Sequence, residues 1–71
     1  MWNYRVLQYA DFAEIVEVYY NDDGDIYAWS RASLVQDSVN DLLRDLAAIQ
    51  QAFAAPILKI EDMPGGEEVA S

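Results

Sequence analysis

The stretch Ala13-Glu14-Ile15-Val16-Glu17-Val18-Tyr19-Tyr20-Asn21-Asp22-Asp23-Gly24-Asp25-Ile26-Tyr27-Ala28-Trp29-Ser30 decides the fold. β-Branched and aromatic residues fill both arms, and the polar run between them has turn chemistry. Asn21 can hydrogen-bond its own following backbone, and the Asp22-Asp23 pair suits a type I turn. Gly24 supplies the left-handed position of a bulged hairpin loop. Two antiparallel strands are expected, over residues 13–20 and 25–30. Residues 2–9 (Trp2-Asn3-Tyr4-Arg5-Val6-Leu7-Gln8-Tyr9) have the same character and extend the hairpin to a three-stranded meander.

A register follows from charge and alternation. Setting Tyr20 opposite Asp25 places Val18 opposite Tyr27, Val16 opposite Trp29 and Glu14 opposite Arg31, an ion pair. Setting Val6 opposite Val16 places Tyr4 against Val18, Trp2 against Tyr20 and Arg5 against Glu17. A slip of one residue would put Asn3 and Arg5 among the valines, so it is rejected at this stage. The expected core face is Trp2, Tyr4, Val6, Val16, Val18, Tyr20, Tyr27 and Trp29. The other face then carries Leu7, Ile15, Tyr19 and Ile26, where a one-sided sheet would be polar.

Downstream, Ser38-Val39-Asn40-Asp41 fits a capping box with Ser38 as N-cap. A helix is expected from there to Phe53 or Ala54, stopped by Pro56, because the residue before a proline avoids the α region. Val39, Leu42, Leu43, Leu46, Ile49 and Phe53 recur at helical spacing and form one apolar stripe, expected to lie across the aromatic sheet face. Ile57-Leu58-Lys59-Ile60 fits either a short fourth strand or an extended arm. Residues 61–71, with Pro64-Gly65-Gly66-Glu67-Glu68, read as an acidic, flexible tail.

Composition narrows function by exclusion. The 71 residues hold 13 acids, 4 bases, no His and no Cys, a formal charge of -9. An apolar fraction of 54% argues for a folded chain. Direct nucleic-acid binding is disfavoured, since its affinity comes from Lys and Arg neutralising phosphates. The usual general base near neutral pH, thiol nucleophiles and the commonest metal ligands are missing. Around Asn21–Asp25 the offsets do not fit a calcium loop, which would need a bidentate Glu where Ser30 stands. Glu14 and Glu17 point to opposite faces of one strand and cannot act as a carboxylate pair. No serine has an activating partner in the sequence, and no glycine pattern cradles phosphate. No enzyme, cofactor or metal site is expected. No apolar run approaches the ~20 residues that span a bilayer. Met1 runs straight into Trp2-Asn3-Tyr4-Arg5 without a basic and apolar leader, so the expected compartment is the cytoplasm.

Two features remain as binding leads. Asp37, Asp41 and Asp45 recur every four residues, which stacks them along one helix edge at roughly 6 Å per step. That spacing is close to phosphate spacing on a nucleic-acid strand, although acids also favour a helix start for ordinary electrostatic reasons. Leu7, Ile15, Tyr19 and Ile26 would form a patch if paired across adjacent strands. A docking surface for another chain is preferred there over cover by the C-terminal arm, which offers only Ile57, Leu58 and Ile60.

The order β-β-β-α, with a fourth strand after it, on a small acidic chain resembles the core of HicB-type antitoxins over residues 2–60. That likeness of layout implies a reduced RNase H-like fold. The family's Gly-Tyr/Trp and Pro-Gly-Cys-type signals are absent here, and no DNA-binding segment follows. The pattern Trp2-Asn3-Tyr4-Arg5-Val6, Glu17-Val18-Tyr19-Tyr20-Asn21-Asp22-Asp23-Gly24 and Ala28-Trp29 also looks like a family of small bacterial and phage proteins. This second likeness brings no functional residues with it.

The expectation is one α+β domain over residues 1–60, a three-stranded meander with one helix on one face. Its expected role is to bind and inhibit a basic, nucleic-acid-handling protein such as a nuclease or toxin, in the manner of phage anti-defence proteins and antitoxins. Leu7, Ile15, Tyr19, Ile26, Asp37, Asp41 and Asp45 are the expected contact residues. The rival reading is a structural homodimer that pairs through the second sheet face.

Overall fold

The computed structural model describes residues 1–64. Strands β1 (Trp2–Gln8), β2 (Ala13–Tyr20) and β3 (Ile26–Arg31) form the expected meander, followed by helix α1 (Val39–Ala52) and a two-residue strand β4 (Leu58–Lys59). The sheet order is β3-β2-β1-β4, antiparallel except for β4, which runs parallel to β1. This is an α+β fold in which residues 57–60 do contribute a short fourth strand. A 3-10 turn over Ile60–Asp62 leads to Met63, which is buried. Packing therefore reaches past the expected boundary at residue 60, and only residues 65–71 of the expected tail lie outside the described residues.

The β2–β3 turn forms as its chemistry dictates. Asn21 Oδ1 accepts from the Asp23 and Asp25 amides at 3.0 Å each, and Gly24 sits at φ 86° with open space where a Cβ would stand. The register beyond it differs from expectation. Asn21 pairs with Asp25 through a 2.9 Å backbone bond, and a bulge leaves Tyr27 as the extra residue, so Val18 faces Trp29 and Val16 faces Arg31. The shift is two residues, an even number, so Val16, Val18 and Trp29 still share a face. Glu14 and Arg31 still meet at 3.3 Å, now diagonally across the strands.

β1 takes the one-residue slip that charge had argued against. Val6 faces Ile15, Arg5 faces Val16, Tyr4 faces Glu17 and Asn3 faces Val18. The expected Arg5–Glu17 pairing is therefore not made. An odd slip exchanges the two faces of β1. Leu7 now joins Val16, Val18, Trp29 and Met63 in one core, while Tyr4 and Val6 join Ile49 and Ala52 in another. The polar residues that made this register unattractive find partners, although Arg5 Nε stays buried without one. The Arg5 guanidinium donates to the Tyr20 hydroxyl (3.2 Å) and to the Pro56 carbonyl (2.6 Å), and the Tyr20 hydroxyl donates to Asn3 Oδ1 (2.9 Å).

The sheet is thus covered on both faces, by α1 on one and by the β4–Met63 arm on the other. Leu58 and Ile60 flank the core of Leu7, Val16, Val18 and Trp29, and Met63 completes it. Trp2, Tyr20 and Tyr27, expected in a single core, are half or more exposed or lie at its edge.

Helix α1 begins where expected, with the Ser38 hydroxyl accepting from the Asp41 amide at 3.2 Å. Asp41 does not close the capping box; its carboxylate meets Arg44 at 3.4 Å instead. The two registers separate by mutation. Leu7→Ala should destabilise the fold by about 3 kcal/mol, as a fully buried leucine does, whereas Tyr27→Ala should cost less than about 0.5 kcal/mol. Denaturant melts of the two variants check this; equal losses would favour the register in which Tyr27 is core.

Candidate functional site

The four apolar residues expected to form a docking patch do not share a face. Leu7 and Ile26 lie on the side of Val16 and Val18, whereas Ile15 and Tyr19 lie on the side of Tyr4 and Val6. Leu7 has no exposed surface, so it is a core residue and not a contact. Ile26 packs at the margin of that core and Ile15 at the margin of the other. The arm set aside as too short covers the face, because Met63, three residues beyond the expected domain end, adds the missing bulk. Tyr19 is half-buried: its hydroxyl donates to Glu17 at 3.0 Å and lies 3.2 Å from the Ser30 hydroxyl.

The acids of α1 lie on the edge that turns toward the sheet. Asp41, Asp45, Ile49 and Ala52 follow one another at four- and three-residue spacing, so they line one side of the helix. Ile49 and Ala52 are the buried residues of α1, and Asp41 and Asp45 are half-buried with them. Asp45 accepts a 2.7 Å bond from the Gln36 side chain. Only Asp37 of the expected stripe is freely exposed. Asp45 and Glu17 also act on the Tyr4 hydroxyl. Burial first, then these two carboxylates and Tyr19, push Tyr4 above its ordinary value of 10.0.

The consequence of that docking edge is an uncovered apolar row. Val39 is 73% exposed, Leu43 57%, Leu46 53% and Phe53 69%, with Leu42 at 38% between them. The stripe expected to lie across the sheet therefore faces outward, and only Ile49 of its six members is buried. The physical reason is the width of the contact. α1 packs chiefly on β1, which offers it Tyr4 and Val6, and the small Ala52 lets the helix approach by its flank. Sequence reasoning treated the row as core because its periodicity is helical. Helical period alone carries no signal that separates this row from a core stripe, because Leu43 beside Leu42 gives it the breadth of a helix laid on a sheet.

Beside the docked flank, a cleft of about 330 Å³ opens between Trp2–Arg5 of β1 and Ala48, Gln51 and Ala55. Trp2 meets Tyr4 edge-on there, ring centres 5.1 Å apart. Among the described residues no group of three carboxylates stands close enough to hold a metal ion, and no helix is long and apolar enough to cross a membrane. Comparison with protein-family models, with curated proteins and with solved structures finds no match to this chain.

The Tyr4 environment has a pH signature. Folding favours the protonated phenol, so its contribution to stability is intact below pH 10 and is lost as pH rises through the elevated folded value. A spectrophotometric titration that follows Tyr4 should show its phenol ionising above the ordinary value of 10.0 in the native protein. Tyr4→Phe should flatten the alkaline fall in stability, and an unchanged fall would contradict the placement.

Proposed function

We propose that this chain is a non-enzymatic, cytoplasmic interaction protein that binds a basic, nucleic-acid-handling protein and inhibits it. The observation that supports this reading is the distribution of charge. Against 13 acids the chain has four bases, and three of those have partners within the chain. Arg31 meets Glu14, Arg44 meets Asp41, and Arg5 bonds to Tyr20 and Pro56. The outward field is therefore negative, from the Asp22-Asp23-Asp25 turn at one end to Glu61 and Asp62 near the arm. Such a field speeds encounter with a basic partner and disfavours acidic ones.

The carboxylates are engaged in ways that suit structure better than catalysis. Glu14 is ion-paired, Glu17 accepts from Tyr19, and Asp45 accepts from Gln36. Imitation of a phosphate row by Asp37, Asp41 and Asp45 fits less well than the hairpin tip does, because two of the three are half-buried.

Affinity capture from host lysate tests the reading. The chain should retain a basic nuclease, toxin or nucleic-acid-binding protein at low salt and release most of it at about 1 M salt, where charges are screened beyond ~3 Å. Replacing Asp22, Asp23 and Asp25 with Asn should weaken binding about tenfold at low salt and little at high salt, the pattern of encounter-controlling charges. Retention of no basic protein at either salt, or equal retention by the triple variant, would count against it.

A further inference from the structure

We propose that the uncovered row on α1 is the contact between two copies of this chain, related by a two-fold axis that passes near Leu46. The inference rests on reading the chain as an interaction protein but not on the identity of its basic partner. Val39, Leu42, Leu46 and Phe53 stand outward at positions of a seven-residue repeat that keeps one seam of a helix facing another helix, while Ile49, at the remaining position of that repeat, is turned into the protein's own core. α1 is the one long helix among the described residues, so the matching seam nearest to hand is that of a second copy. Leu46 lies midway between Val39 and Phe53, and a two-fold axis there would make the contact self-complementary with the helices antiparallel.

Charge does not oppose the pairing, despite the formal -9. The open flank of the seam is Leu43, Ala47 and Gln50, all uncharged. Asp37, Asp41, Arg44 and Asp45 lie elsewhere around the helix, the aspartates at 41 and 45 on the edge that faces the protein's own sheet. An interface core depleted of charge is the usual compositional mark of a stable contact.

The area is of the right size. At roughly 100 Å² for each fully exposed aliphatic side chain and about 200 Å² for an aromatic one, the exposed parts of Val39, Leu42, Leu43, Leu46 and Phe53 come to about 360 Å². A standard interface buries ~800 Å² on each partner, a little over half of it apolar, or about 450 Å². Leu34 and Val35, exposed in the connection just before the helix, add to the same end. The chain also needs the burial. Domains this short without disulfides or metals often gain stability by oligomerising, and α1 is held to its own sheet by only two buried side chains.

Sedimentation equilibrium of the full chain tests the proposal. At about 100 μM, well above a Kd in the low-micromolar range, the mass should be twice the 8.0 kDa of the chain. Leu46→Asp, at a position already half-exposed, should give the single-chain mass with an unchanged circular dichroism spectrum. The chain has no cysteine, so oxidised Leu46→Cys should form a covalent dimer at native-like rates, while Asn40→Cys, on the far side of the helix, should not. A single-chain mass at about 100 μM, or a dimer that Leu46→Asp leaves intact and Leu46→Cys fails to link, would overturn it. Salt-sensitive capture of a basic protein by a monomeric chain would leave the proposed function standing while removing the dimer, so the two readings fail separately.

Discussion

Leu7, packed without residual exposure against Val16, Val18 and Trp29, is the contact on which the rest of the structure depends. Its burial ties β1 to β2 in one register, and side chains alternate strictly across a strand. Once Leu7 points to the valine face, Tyr4 and Val6 must point to the other. That gives the sheet two apolar faces, each needing its own cover. The helix and the C-terminal arm then have separate tasks, and neither can be spared for the other's.

This division explains why the helix sits as it does. Had Val16, Val18 and Trp29 lain on the side of α1, a broad apolar floor would have taken the whole Val39–Phe53 row. They lie on the opposite side, under Met63, Leu58 and Ile60. What α1 finds is Tyr4 and Val6, a narrow strip that a helix flank carrying Ile49 and Ala52 can cover. The row is left outward, and the half-buried Asp45 is brought near the Tyr4 hydroxyl. The exposed row and the raised Tyr4 both descend from the register of a single strand.

Local features of the chain were legible because local chemistry decides them. The Asn21–Gly24 turn, the Ser38 cap, three strands and one helix each follow from residue types at short range, whereas Ile57–Ile60 fits a short strand and an extended arm alike until its pairing with β1 decides it. The register was not legible in the same way. Arg5 opposite Glu17 is a sound expectation for two strands considered alone, but exposed ion pairs contribute little, and a fully buried leucine contributes more. The polar cost of the slip is met by Tyr20, Asn3 and the Pro56 carbonyl, and the last of these is 51 residues away from Arg5. No alternation pattern encodes such a partner. The candidate contact surface was misplaced for the same reason: the Leu7/Ile15/Tyr19/Ile26 patch exists only in the expected register, which β1 does not adopt, while the residues that do stand outward were assigned to the core by their helical period.

The register can be read directly from cross-strand Hα–Hα nuclear Overhauser effects, which are strongest at the closely spaced, non-hydrogen-bonded pairs of an antiparallel ladder. The Tyr20 amide bonds to the Met1 carbonyl at 2.8 Å, which makes Met1–Tyr20 a bonded pair and places Trp2, Tyr4 and Val6 in the close ones. The account predicts strong Hα–Hα effects for Tyr4 with Glu17 and Val6 with Ile15, together with contacts from the Leu7 methyls to the Trp29 ring. Effects linking Tyr4 with Val18 and Val6 with Val16 would contradict it.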